Sequence, residues 1–335
     1  MLSVLFDSGA VIKCGFSHLV QHYDKFNLNI QCVFVIENIS RIKIYAENDV
    51  EFNTDHPTYA ERVVFRLKNC KECEFSGFNF NPSLSDYSIK ESDKVIRQEE
   101  WWKGFTVEEC DKLEITKHWV NACHVFVMAD STNLPENKWN GAIGLRKCRF
   151  KYVVNYCIIT RCITKMDFTS NKVEYQGRAW HTYGEAVAPT TKTKNFVVHN
   201  NEFINQIAIQ SSITPGPQVE SGLITDNYCR RTHGMFLELG SSSNLIISNN
   251  ISISTGEVAE TTHILLVGEV DDQPLGEPHH NILIDGNMFI GGGYAIQEYN
   301  TGIPLRTGFS ILNNHMYKCM MPIITNQPII YRDTC

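Results

Sequence analysis

No stretch of this 335-residue chain keeps apolar residues at helical spacing over several turns, which sets helical architectures aside. No apolar run reaches about 18 residues, so no segment is a candidate transmembrane helix and no membrane partner is expected. A basic excess is missing too. Thirty Lys and Arg against 37 Asp and Glu leave a formal charge of −7, the wrong sign for neutralising nucleic-acid phosphates. The first residues carry Asp7 and no basic region, so no signal peptide is expected. Cys70 and Cys73 form one C-x-x-C, with no second pair at zinc-finger spacing. Nucleotide-binding motifs, Ser-His-Asp signatures and HExxH are also missing.

What the chain does contain is one short pattern, ten times over: an apolar residue, a variable one, a second apolar residue, then a polar turn. The first apolar position falls at Ile42, Cys73, Leu113, Ile143, Met166, Phe196, Leu223, Leu245, Ile282 and Phe309. Its partner two residues on runs from Ile44 through Thr225 to Ile311. Spacings range from 22 to 40 residues, a floor with insertions, as in stacked coils whose loops grow from one corner. Asn171, Asn201, Asn250, Asn287 and Asn314 stand five residues after the first apolar position. Amides at equivalent positions bond along a stack, as Asn and Gln ladders do. The pattern predicts an all-β fold, a single-stranded right-handed parallel β-helix of about ten coils. Residues 31–335 are assigned to it and residues 1–30 to a segment capping its first coil.

Composition agrees, with 43% hydrophobic and 20% charged residues. Runs such as Leu245-Ile-Ile and Ile282-Leu-Ile are strand formers bounded by Asn, Gly and Ser. Twelve cysteines invite a metal or disulfide reading. Superposed coils favour burial: Cys70 and Cys110 both precede a first apolar position by three residues, and Cys73 is itself one. No metal site is assigned. Many unpaired thiols point to a reducing compartment. Insertions interrupt the repeat between Phe80 and Phe105, carrying Trp101 and Trp102, and again around Trp139. Loops leaving one edge of a β-scaffold commonly carry binding residues.

Aligning the strands that begin at Trp180, Ile207, Met235, Ile264 and Tyr294 exposes a polar stripe. Its outward row reads Tyr183, Gln210, Glu238, Val267, Gln297, and the row two residues on begins with Glu185 and ends with Glu269 and Tyr299. His181 and Phe236 fall in the row two residues earlier. Amides, carboxylates and rings on one face suit a chain of sugars. Glu238 and Glu269 fall on neighbouring coils two residues out of step, about 8 Å apart along the backbone. That spacing overlaps the ~6.5–9.5 Å between the carboxyls of inverting glycosidases. Glu238 is the expected proton donor and Glu269 the base, with the bland alternative that both are solvated rim charges. Arg178, Trp180, His181, Tyr183 and Glu185 form a second constellation, fit for charge neutralisation, stacking and proton removal in a β-elimination. Trp101, Trp102, Phe236, Gln297 and Tyr299 complete the expected sugar contacts. No cofactor is required; calcium at Asp271 and Asp272 is the alternative.

The segments NNEFINQIAIQSS (from Asn200), NNISIS (from Asn249), DGNMFIGGGYAIQ (from Asp285) and LNNHMYKC (from Leu312) resemble coils of pectate-lyase-like β-helix enzymes and phage tailspike depolymerases. The resemblance covers about residues 30–330 and is one of architecture. It implies a polysaccharide as partner and a hydrolase or lyase as activity. In polygalacturonases paired aspartates begin the strand equivalent to Ile207; here those positions read Asn205-Gln206, His233-Gly234 and Gly292-Gly293. Tailspike likeness also implies a virion-associated tail protein assembled in the host cytoplasm, and leaves a homotrimer open. The alternatives are a non-catalytic glycan-binding or structural tail protein, and a sugar epimerase.

Overall fold

In the computed structural model the described residues run from 29 to 332, with 2–6, 11–14 and 20–23 before them. Within that span, segments 55–61, 83–101, 122–124, 132–133, 152, 154–155, 175–177, 183–192, 207–212, 215–218, 232–233, 241, 256–260, 268, 271–272, 275–279, 300–306 and 325–329 fall outside the description.

The chain winds as a right-handed parallel β-helix. A coil is exemplified by strands Ser242–Ser248, Ile251–Ser254 and Thr261–Val267. The first two flank a tight turn and belong to a 21-stranded sheet; the third belongs to a 12-stranded sheet. Strands pair in parallel with their counterparts in the coils before and after, as Leu245 does with Ile282. Alternation drives this arrangement, because residues i and i+2 of each strand face the interior and the residue between faces out. The strand Ser242–Ser248 shows it, with Leu245 and Ile247 buried and Ile246 41% exposed. At the amino-terminal end Leu2–Phe6 pairs in parallel with Arg41–Thr54, setting Leu2 beside Ile42 and adding a rung before the first repeat.

The repeat positions stack into one register row: Ile42, Cys73, Leu113, Ile143, Met166 and Phe196, then Gly222, Leu245, Ile282 and Phe309. One expected member is corrected. Leu223 is not in this row; it points outward, 40% exposed, and Gly222 takes its place with Ile224 as the second buried position instead of Thr225. The cause is Phe196, whose ring fills the interior space of two coils. A Cβ on Gly222 would lie 2.1 Å from Phe196 Cε1.

Shifting that coil by one residue brings a sixth amide into line. Asn171, Asn201, Asn227, Asn250, Asn287 and Asn314 are all buried, and each Nδ2 but the last donates to the next Oδ1 at 2.9–3.2 Å. Each also donates to a carbonyl of the preceding coil, as Asn227 does to Val198 (2.9 Å). The residues just before them, among them Asn200, Asp226, Asn249 and Asn313, have φ between 52° and 64°, a left-handed conformation that Asn, Asp and Gly tolerate. The column continues toward the amino terminus as Cys148, whose N–H donates to Asn171 Oδ1 (2.9 Å), and His118. His118 is packed among Phe78, Phe80, Phe105 and Phe126.

Cys70, Cys73, Cys110, Cys148, Cys157, Cys162 and Cys229 are buried free thiols that fill core positions as small apolar residues, and Cys319 is a partly exposed one. Cys70 and Cys110 lie in register, since Asp111 N donates to the Cys70 carbonyl (2.9 Å). Stacked rings fill the same end of the core: Phe65 lies 5.0 Å from both Phe34 and Phe105.

Candidate functional site

The 12-stranded sheet carries Glu238 on its outer face. Strand Gly234–Leu239 buries Phe236, Leu237 and Leu239 and leaves Glu238 half-buried between them. Its neighbours in register were misassigned by the sequence alignment. Met235 and Tyr294 align as expected, but Thr262, not Ile264, stands between them. Leu265, not Val267, therefore lies beside Glu238, with Gln297 one coil further. On the other side the paired strand is Ile213–Thr214, and Leu237 opposes Ile213, so Thr214 takes the place expected for Gln210. Thr214 in turn opposes His181, which takes the place expected for Tyr183.

The row thus reads Ile159, His181, Thr214, Glu238, Leu265, Gln297. His181 and Gln297 each stand two coils from Glu238. At about 4.8 Å per coil, either backbone position is roughly 10 Å away. Gln297 is anchored, accepting a hydrogen bond from Thr262 Oγ1 (2.8 Å).

Three further expectations are corrected. Glu269 does not stand two residues out of step with Glu238. Leu265 is the register neighbour, so Glu269 lies four residues beyond it, in a separate antiparallel pair with Pro274. Phe236 does not face sugar; it is wholly buried, with its ring 6.4 Å from that of Phe203 in the core. Trp180 opposes Ile158 and Ile213, in the row of Leu237, Ile264 and Ile296, all core residues. That register argues against a stacking role on the outer face.

Arg178 opposes Tyr156 and Trp102 opposes Arg62, while Tyr299 follows in register from Val267. The side chains of Arg178, Trp180, His181, Trp102, Glu269 and Tyr299 lie outside the described residues, as do Trp101, Tyr183, Glu185, Gln210, Asp271 and Asp272.

Two charged groups were not singled out from the sequence. On the same sheet, in the row two residues beyond that of Glu238, Lys68 is beside Glu108 and Asp130 beside Arg161. Arg161 Nη1 donates to Asp130 Oδ2 (3.2 Å), both side chains mostly shielded from solvent. On the 21-stranded sheet Arg146 bridges two carboxylates, Glu114 Oε1 at 3.3 Å and Asp167 Oδ2 at 2.5 Å. Gly144 lies between them in register, and Glu114 leans over it, its Oε2 2.7 Å from where a Cβ would be. Burial raises the Glu114 pKa, and Arg146 opposes the rise. For the first group, opposite charges at one repeat position of neighbouring coils were the available signal; Arg146 stands two residues beyond the row of Glu114 and Asp167.

No protein-family model matches the sequence, and no curated protein does. Solved structures do match in fold. The A-module of mannuronan C-5 epimerase AlgE4 from Azotobacter vinelandii superposes with a TM-score of 0.58 at 11% identity, over 99% of this chain and 90% of that one. The exopolygalacturonase of Thermotoga maritima gives 0.58 at 8% identity, over 90% and 81%. The Streptococcus pneumoniae surface protein and adhesin PfbA gives 0.56 at 12%, over 98% and 91%. These share one fold with this chain, the right-handed parallel β-helix. At such identity the likeness is one of fold.

Proposed function

We propose that this protein binds a polysaccharide across the outer face of the 12-stranded sheet and cleaves it, with Glu238 as proton donor and His181 as the base. The observation that carries the reading is the shared register row, in which Glu238 and His181 are separated by one coil. That interval, roughly 10 Å at the backbone, is comparable to the ~6.5–9.5 Å that separates the acid and base groups of inverting glycosidases. Glu238 protonates the leaving glycosidic oxygen; His181 takes a proton from the attacking water. Gln297, held by Thr262, supplies an amide for sugar hydroxyls two coils away on the other side. The mannuronan epimerase and the exopolygalacturonase among the structural neighbours support a glycan as ligand.

The test is a panel of bacterial and plant polysaccharides, assayed for new reducing ends and for unsaturated products. Cleavage should appear as reducing ends, and Glu238→Gln should lower it by about 10²–10⁴-fold while glycan binding is retained. Full activity in that variant would remove Glu238 from the mechanism. Binding without cleavage by the wild type would replace the enzyme with a glycan-binding protein, and unsaturated products would replace hydrolysis with elimination.

A further inference from the structure

Arg231 ends the strand Tyr228–Arg231 with its side chain turned into the β-helix, 1% exposed. Nη2 donates to the Thr262 carbonyl; Nε and Nη1 have no partner. Ser254 is its register neighbour in the next coil, also buried, and its hydroxyl has no partner either. The nearby buried imidazole does not offset the charge. His263 Nε2 faces the Gly291 carbonyl at 2.9 Å, which only accepts, so Nε2 carries the hydrogen. Nδ1 then accepts from Ser252 Oγ at 2.7 Å, and His263 is a neutral ring. Burial pushes its pKa down to about 3, and the Arg231 charge adds to the effect. Arg231 falls only to about 10, so it remains a cation at neutral pH.

A buried cation without a counter-charge is among the costliest arrangements in a protein interior. Among the described residues no carboxylate pairs with Arg231. The unused groups are two guanidinium nitrogens, with three N–H donors between them, and one hydroxyl, on adjacent coils in the same inward row. Such a set takes a compact acceptor that carries negative charge. We infer that this corner of the interior, between Arg231 and Ser254, binds a small monovalent anion of halide size.

The site has a structural consequence for the outer face. Arg231 holds the Thr262 carbonyl, and the Thr262 hydroxyl holds Gln297, a member of the Glu238 row. The anion completes a buried support under that strand. The inference stands whether or not the outer face cleaves a glycan.

The experiment uses the full chain in sodium chloride, sodium bromide or sodium gluconate at one fixed ionic strength. Chloride and bromide should raise the Tm over gluconate, by about 2 °C for each tenfold increase in halide beyond its Kd. Arg231→Met should abolish the difference between salts. Crystals of the wild type grown in bromide should show an anomalous peak within hydrogen-bonding reach of Arg231 Nε or Nη1 and of Ser254 Oγ. This second measurement decides the matter if the variant does not fold. A Tm that ignores the identity of the anion, an unchanged halide effect in Arg231→Met, or a bromide map with no peak there would each overturn the inference.

Discussion

The ring of Phe196 occupies the interior space of position 222: a Cβ on Gly222 would lie 2.1 Å from Phe196 Cε1 and 2.3 Å from Cζ. The two residues are register partners on neighbouring coils, so one large and one absent side chain share the volume of two ordinary core residues. Gly222→Leu should therefore overpack the core and lower stability by about 1–3 kcal/mol. Combining it with Phe196→Ala should recover part of that loss, because the pair restores the volume in the opposite order. Urea unfolding of the two single variants and the double variant checks the coupling. Additive losses would show that the positions do not share space.

Asn227 is the member of the amide ladder with the clearest predicted cost. It donates to Val198 O and Asn250 Oδ1, both at 2.9 Å, and accepts from Asn201 N (3.0 Å) and Asn201 Nδ2 (2.9 Å). Asn227→Ala leaves these groups buried without partners and should cost about 2–4 kcal/mol. Asn200 is exposed and left-handed at φ 53°, so Asn200→Gly should change stability by no more than about 0.5 kcal/mol. Equal effects from the two substitutions would deny the ladder its structural role.

His118 predicts an acid-sensitive core. Its ring nitrogens have no well-aligned partner, the Phe75 carbonyl being the polar group that faces them, and burial pushes its pKa from 6.5 to about 4. The unfolded chain then takes up a proton more readily than the folded one. Stability is complete above about pH 6.5 and drains away as pH falls toward 4, by about 3 kcal/mol in all. His263, lowered to about 3, acts in the same direction. His118→Leu should flatten this slope without removing it, as measured by urea unfolding between pH 4 and 7.5. An unchanged slope would place the titrating group elsewhere.

Arg146 holds apart two carboxylates that its loss would leave facing each other across Gly144. The Glu114 pKa already lies above its ordinary value because of burial. A raised carboxyl destabilises at high pH and is relieved when the proton binds. Arg146→Met should therefore be least stable at neutral pH and gain in Tm as pH falls from 7 to 5, relative to wild type. A parallel loss at both pH values would indicate packing by the Arg stem, not charge.

The sequence by itself determined the coil. Nine of the ten proposed first apolar positions lie in the observed register row, and five ladder amides were visible as Asn at a fixed offset. That legibility has a physical cause: a fixed offset from strand to turn recurs in every coil, and each copy confirms the others. The missed coil failed because glycine does not read as apolar, and only packing reveals that Phe196 fills its place. Register in the third strands was decided by tertiary structure alone. Alternation has a period of two, so a slip of two residues at Ile264, or of four from Gln210 to Thr214, keeps every side chain on its face and leaves no trace in the pattern. Those slips are what place Thr214 beside Glu238, set His181 one coil further along the same row, and carry Glu269 away. The pairing of Arg231 with Ser254 was missed with Asn227, since both follow from the one-residue shift that puts Gly222 in the place of Leu223.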